Sequence, residues 1–141
     1  MRMVDRLDAG PVWLVKKCAI QQTDTGGALT GRLVGLGAEA LDEALDLYVR
    51  GTIEERKQDE SLATYASKIS NPELAIDWSE SASKIERKVR AMNPTPGVHT
   101  VLGGSRVKIL QCKATDSEVK ESPGAIATLT KKTLEIATGD G

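Results

Sequence analysis

A single carboxylate in a tight turn is the side chain of this sequence best placed to move protons. Asp8 lies in the run Leu7-Asp8-Ala9-Gly10, which is followed by Pro11 and separates two segments that are predicted as strands. A carboxylate at the end of a strand is held by rigid backbone and still reaches solvent, as general acid–base chemistry requires. Aspartate is also common in turns because its side chain bonds to the local backbone. The residues alone therefore leave both readings of Asp8 open.

A second group of residues could bind a polyanion. The chain has seven basic residues and one acidic residue between Lys84 and Lys113, whereas Leu36 to Glu60 contains eight acidic and three basic residues. This asymmetry indicates that one part of the chain faces a polyanion, although exposed lysines often serve solubility alone. The sequence after Gly97 has no aromatic residue on which a base could stack, so we expect contacts with phosphate and ribose. The basic candidates are Lys84, Arg87, Lys88, Arg90, Arg106, Lys108 and Lys113.

Two amphipathic helices are predicted to carry these residues or to lie beside them. Thr23-Asp24-Thr25 offers N-cap side chains for a long helix that ends at Arg50-Gly51 and has a solvated acidic face. The second helix is short and basic. It is predicted to start at Ser79 as N-cap and to end near Asn93, because Pro94 disfavours helical geometry in the preceding residue. Apolar side chains recur at helical spacing in this segment, at Ala82, Ile85, Val89 and Met92.

Short strands are predicted at both ends of the chain. Val12–Ile20 is predicted as a strand before the long helix, and Val4–Leu7 as the end of another. Thr52–Asn71 is polar and irregular, which is typical of an exposed connector. The last part of the chain is typical of a small β-barrel or sandwich, because short strands are predicted at Val98–Leu102, Arg106–Ala114, Gly124–Thr130 and Thr133–Thr138, with a connection at Asp116–Pro123.

The composition of the 141 residues is that of an ordinary globular protein, with 40% apolar and 28% charged residues. No run approaches the roughly 20 apolar residues that cross a bilayer, so we expect a cytoplasmic protein without a membrane partner. Cys18 and Cys112 have no partner pattern for a metal site or a disulfide framework. We expect both to be buried or half-buried hydrophobic side chains.

Three separated stretches resemble methionyl-tRNA formyltransferases in that family's order. They are the opening Met1–Ile20, the segment Tyr65–Gly97 that contains YASKISNPELAIDW, and the closing Ser122–Gly141 that ends in ATGDG. The resemblance implies that residues 1–51 are the end of a Rossmann-like formyltransferase domain, an α/β fragment. Residues 52–96 would be a linker with the basic helix, and residues 97–141 an incomplete OB-like β-barrel. What the family has before Met1 is missing, so the chain is expected to be a truncated form.

The resemblance also implies a reaction. In this family, formyl passes from 10-formyltetrahydrofolate to the amino group of methionyl-initiator-tRNA in a monomeric enzyme, without a metal. Leu7-Asp8-Ala9-Gly10 fits the family loop L-D-x-G, so Asp8 would help to bind folate and would shuttle the proton that leaves the attacking amine. The family uses an upstream Asn and His with this Asp, whereas the one histidine here, His99, lies in the barrel part. We therefore expect no measurable turnover from this chain alone.

The same resemblance implies a basic channel for the tRNA acceptor arm, built by the linker and the barrel. Lys68 is either a linker residue whose stem packs on apolar surface or a phosphate contact that joins the seven basic candidates. We expect Trp78 to fill the interface between the linker and the catalytic domain rather than to stack on RNA. Two alternatives remain open. One is a non-catalytic protein that binds RNA backbones, and the other is a relative that formylates a nucleotide sugar, for which the basic surface would have no use.

Overall fold

The computed structural model describes residues 1–116 and 119–141, and these form two compact units. Unit 1 consists of Met1–Gln21 and Leu29–Lys68, and unit 2 consists of Gln22–Ala28 and Ile69–Gly141. Within the described part of the chain, no helix has the length and apolar character needed to span a bilayer.

Unit 1 is built around the long helix α1 (Gly26–Val49), whose first residues belong to unit 2. The Thr25 hydroxyl accepts the N–H of Ala28, so the predicted N-cap is confirmed. The predicted end is confirmed as well, because Gly51 takes a positive φ of 68° and its N–H donates to the carbonyl of Tyr48. A short 3₁₀ turn follows at Glu60–Leu62.

The two strands predicted before α1 are absent, and this prediction was wrong. Neither Val4–Leu7 nor Val12–Ile20 forms a strand, although Val12 makes an isolated antiparallel bridge with Arg56. A strand requires a ladder of backbone hydrogen bonds to a neighbouring segment, and in the described residues the ladder of these runs is limited to the bridge between Val12 and Arg56. Their apolar side chains therefore stay largely outside any core, with Leu7 90% and Ile20 74% exposed.

Unit 2 contains the hydrophobic core. Its second helix, α2 (Ala82–Met92), ends at Asn93 as predicted, but Ser81 rather than Ser79 is the N-cap and accepts the N–H of Lys84. The Ser79 hydroxyl instead donates to the Asp77 carboxylate at 2.6 Å. The apolar face of α2 meets the first strand and the turn after Pro72–Leu74 in a cluster of Ile76, Ile85, Val89 and Val98.

Four short strands form two antiparallel hairpins. The first pairs β1 (Val98–Leu102) with β2 (Ser105–Ile109), and the second pairs β3 (Ile126–Leu129) with β4 (Leu134–Ile136). All four strands lie within the predicted ranges to one residue. They remain two separate two-stranded sheets in the described residues, so no closed barrel is observed. The predicted connection Asp116–Pro123 includes residues 117 and 118, which lie outside the described part.

The closing ATGDG sequence has a structural role in unit 2. One carboxylate oxygen of Asp140 accepts the N–H of Ala82 at 2.7 Å and the Thr138 hydroxyl at 2.9 Å. These bonds, the first above all, lower the pKa of Asp140. A side chain at Gly139 would meet the carbonyl oxygen of Ser79 at 2.0 Å, so the glycine permits this close approach. The chain end thus caps the first turn of α2.

Replacing Ile85 by valine is expected to lower the free energy of unfolding of unit 2 by about 1 kcal/mol. Ile85 is 4% exposed in the core, so removing one methyl group leaves a small cavity. The matched control is Ile126→Val at a side chain that is 43% exposed, where we expect a change below about 0.5 kcal/mol. Urea unfolding followed through the amide signals of β1 measures both. Equal losses in the two variants would contradict this description of the core.

Candidate functional site

The Asp8 loop is shaped by a close backbone approach. A Cβ atom on Gly10 would lie 1.7 Å from the carbonyl oxygen of Arg2, so only glycine fits there. The N–H of Arg2 donates to the carbonyl of Pro11 at 3.0 Å, which closes the loop. Arg2 is therefore the neighbour that requires glycine at this position.

Asp8 itself is exposed at the tip of this loop. Its φ of 53° lies in the left-handed region, which aspartate tolerates better than most residues. The Leu7 side chain beside it is also exposed, and Ala9 is half-buried. Within the residues that the structure describes, the Asp8 carboxylate has no hydrogen-bond or ion-pair partner. The carboxylate is therefore free to accept a proton or a ligand hydrogen bond.

Sequence reasoning missed the side chain that holds this loop. Gln58 Nε2 donates to the carbonyl oxygens of Asp8 and Gly10, each at 2.7 Å. The surrounding segment was predicted as an exposed connector, and its side chains are indeed exposed. Its backbone nevertheless pairs with the start of the chain, since Val12 and Arg56 exchange N–H to carbonyl bonds of 2.8 and 3.0 Å. No local sequence signal identifies such a contact across 50 residues.

The lysines of α2 are partly compensated by carboxylates. Lys84 forms a 2.7 Å ion pair with Glu80, and Lys88 donates to the carbonyl of Ala75 at 2.7 Å. The Ser79 hydrogen bonds lower the pKa of Asp77, and the Lys88 and Lys84 charges lower it further. Asp77 and Glu80 precede Lys84, at which the charge count in the sequence began. That count therefore overstated the positive charge around α2. Arg87 is exposed and has no partner within the described residues.

The cations of β2 lie among neutral groups. The register of the first hairpin puts Lys108 opposite His99 and Arg106 opposite Val101, so both cations share one sheet face. The Arg106 guanidinium contacts His99 Nδ1 at 3.0 Å, and Lys108 Nζ donates to the carbonyl of Pro94 at 2.9 Å. Neutral acceptors leave the positive charges uncompensated. We call Arg106, Lys108 and His99 the β2 basic face.

One further α2 cation adjoins this face through the backbone. The N–H of Ile76 donates to the carbonyl of His99 at 2.9 Å, and Ala75 forms a parallel bridge with the same residue. Because Ala75 also accepts from Lys88, a backbone bridge links the segment that binds this lysine to the strand that pairs with β2.

The remaining candidates lie on other segments, in α2, after β2 and in unit 1. Arg90 lines a cavity of about 290 Å³ with Glu86, and its Nε atom is buried without a hydrogen-bond partner. Lys113 is exposed beyond the end of β2, so strand alternation does not fix its direction. Lys68 is exposed at the end of unit 1.

Trp78 lies in unit 2. It packs on the unit 2 core, and its Nε1–H donates to the hydroxyl of Thr100 at 3.0 Å. Trp78 lies beside β1 because Ile76, two residues earlier, donates its N–H to the carbonyl of His99 in that strand. Trp78 also lines a groove of about 650 Å³ between the two hairpins.

The cysteines and possible metal ligands add no further site. Cys18 and Cys112 are free and half-buried, and burial raises the pKa of the Cys112 thiol. Across residues 1–116 and 119–141, no three histidine, cysteine or carboxylate side chains are arranged to hold a metal ion.

Comparison with known proteins identifies the family. Residues 68–141 match the family model of the formyl transferase C-terminal domain. The methionyl-tRNA formyltransferase of Pseudomonas fluorescens strain Pf-5 is 44% identical over 140 residues, which are 99% of this chain and 43% of that protein. The methionyl-tRNA formyltransferase of Coxiella burnetii strain Henzerling II is 41% identical over 141 residues, which are 100% of this chain and 45% of that protein. The resemblance found in the sequence is confirmed, and the chain spans less than half the length of these relatives.

A solved structure shares the fold. HypX from Aquifex aeolicus in complex with tetrahydrofolic acid superposes with a TM-score of 0.73 at 25% identity, over 98% of this chain and 24% of that protein. A variant of the same HypX gives a TM-score of 0.72 at 24% identity. A similar fold therefore occurs in a protein that was solved in complex with tetrahydrofolic acid.

Proposed function

Because this chain belongs to the formyl transferase family through its C-terminal domain, we propose that it supplies the Asp8 loop and the tRNA-binding surface of a methionyl-tRNA formyltransferase. The supporting observation is identity of 41–44% over nearly the whole chain to proteins of that name. The formyl donor would be 10-formyltetrahydrofolate and the acceptor the amino group of methionyl-initiator-tRNA. The protein would accordingly act in the cytoplasm.

The proposed organisation keeps three parts. Residues 1–51 would be the end of a Rossmann-like catalytic domain, residues 52–96 the linker, and residues 97–141 part of an OB-like C-terminal barrel. In support, the first range carries the exposed carboxylate and the third carries the β2 hairpin with its cations.

Asp8 would take the proton that the reaction releases. The neutral amine attacks the formyl carbon, and a carbon–nitrogen bond forms while the carbonyl oxygen becomes an oxyanion. The amine nitrogen then carries a proton that must leave, and the exposed Asp8 carboxylate can accept it. When the tetrahedral intermediate collapses, the bond to the folate nitrogen breaks and that nitrogen is protonated. The oxyanion needs hydrogen-bond donors, which the family resemblance assigns to an Asn and a His.

The β2 basic face would hold the tRNA backbone. Arg106 and Lys108 are exposed, share one face and have neutral hydrogen-bond partners, so their charges remain available to phosphates. Arg87, Lys88 and Lys113 would add contacts, with Lys68, Lys84 and Arg90 as weaker candidates. This assignment favours the two β2 residues over the α2 lysines, because carboxylates lie near the latter.

Binding of initiator tRNA tests this part of the proposal. About four phosphate contacts would make the affinity fall roughly 100-fold between 50 and 200 mM salt. Fluorescence anisotropy of labelled tRNA with the 141-residue chain measures it. Binding that is absent, or that does not depend on salt, would remove the case for a phosphate-binding surface.

Activity is tested in a hybrid enzyme in which this chain replaces the matching 140 residues of the Pseudomonas fluorescens relative. The alternative function, a non-catalytic module that binds RNA backbones, is supported by the same cationic face. A folded hybrid that binds tRNA and transfers no formyl would favour that alternative.

A further inference from the structure

The carbonyl groups on either side of Ala9 are bound by one side chain from a distant part of unit 1. Gln58 Nε2 lies 2.7 Å from the Asp8 oxygen and 2.7 Å from the Gly10 oxygen. A primary amide has two N–H donors, so a single nitrogen can serve both acceptors. The amide therefore spans the loop at the residue that carries the candidate catalytic carboxylate.

Pairing of the surrounding segment brings Gln58 to the loop. Two bonds between Val12 and Arg56 fix the backbone two residues before Gln58. The indole of Trp13 donates to Glu55 at 3.0 Å, and Arg2 forms a 3.0 Å ion pair with the same carboxylate. The backbone bonds of Arg56 and the side-chain contacts of Glu55 thus fix the segment before Gln58 and limit where its side chain can lie.

The loop conformation is one that needs such support. A left-handed backbone is sterically disfavoured at a residue with a Cβ atom, and Asp8 has a φ of 53°. Without bonds to its carbonyl groups, the loop would exchange with other backbone conformations, and the direction of the carboxylate would change with them. Gln58 contacts the two loop carbonyl groups and the Met1 sulfur, the latter at 3.8 Å, but not the Asp8 carboxylate, so it acts on Asp8 indirectly.

We propose that Gln58 is a positioning residue that holds the Asp8 carboxylate in the direction required for proton transfer. The proposal rests on the proposed function, since it concerns the same loop. It extends that function by making the segment after α1 part of the reaction site.

The loop geometry is tested in the 141-residue chain by carbonyl ¹³C shifts of Asp8 and Gly10. Gln58→Glu keeps the size of the side chain but, as a carboxylate, has no donor. We expect both carbonyl signals to move in this variant. In the charge-matched control Gln22→Glu, at an exposed glutamine of unit 2, both signals should keep their positions. Unchanged Asp8 and Gly10 signals in Gln58→Glu would overturn the proposal.

The effect on chemistry is tested in the hybrid enzyme. Gln58→Glu is expected to lower kcat roughly 10- to 100-fold, the range of a misplaced reacting group, with KM for tRNA unchanged. Gln58→Lys has three donors and should keep kcat within about tenfold of the parent hybrid. An equal loss of kcat in both variants would refute a positioning role. Shifted Asp8 and Gly10 carbonyl signals in Gln58→Glu with an unchanged kcat would also refute it. Failure of the proposed function is distinguished by Asp8→Asn, which would then leave kcat unchanged whatever Gln58 does.

Discussion

Reversing the charges of Arg106 and Lys108 to glutamate lowers the affinity of the chain for initiator tRNA by roughly 100-fold at 0.1 M salt. This is the expected loss if each cation makes one charge-assisted bond to a phosphate worth about 1.5 kcal/mol. The two side chains lie on one face of β2 and have only neutral partners, so their charges act outward. In the double variant, the affinity should also depend less on salt, because binding releases fewer counterions.

A variant with the same change in net charge separates contact from long-range attraction. Lys131 and Lys132 are exposed in the turn between β3 and β4 and are not among the tRNA candidates. Their double replacement by glutamate should weaken binding only a few-fold. Fluorescence anisotropy measures both double variants. If they lose affinity equally, the β2 basic face has no special role and total charge alone explains binding.

Asp8→Asn in the hybrid enzyme is expected to lower kcat by roughly 10²- to 10⁴-fold, the usual contribution of a general acid–base group. Asparagine has nearly the same shape but cannot take a proton near neutral pH, so the proton of the attacking amine loses its acceptor. The affinity for tRNA should not change, since the phosphate contacts proposed above involve other residues. Steady-state formyl transfer with saturating tRNA measures the effect.

The control for this variant is Asp5→Asn, three residues earlier in the same exposed segment. It removes the same charge without touching the loop that Gly10 and Gln58 shape. We expect kcat within about twofold of the hybrid, the scatter typical of exposed surface changes. A similar loss in both aspartate variants would point to general electrostatics rather than to proton transfer by Asp8.

Local sequence signals predicted the helices and hairpins well. Thr25 marks the start of α1 and Gly51 its end, because the Thr25 hydroxyl and the left-handed glycine satisfy backbone groups within a few residues. The turn at Gly103 and Gly104 fixes the β1–β2 register, and with it the shared face of Arg106 and Lys108. These features depend on neighbours in the sequence, so periodicity and turn residues were sufficient.

Contacts between distant residues could not be predicted in the same way. Val12–Ile20 has the composition of a strand, but a strand also depends on a neighbouring chain, which composition does not specify. Gln58 lies in a polar run where no single residue stands out, and only the Val12–Arg56 pairing brings it to Asp8. The carboxylates near Lys84 and Lys88 likewise come from outside the window in which the charge was counted.

The most direct test of the account is the rate at which the hybrid enzyme transfers formyl from 10-formyltetrahydrofolate to methionyl-initiator-tRNA. If this chain supplies a working Asp8 loop and a tRNA-binding face, the folded hybrid should reach a rate within about tenfold of the Pseudomonas fluorescens enzyme. A hybrid that is folded and binds tRNA, but forms no formylmethionyl-tRNA, would contradict the central claim.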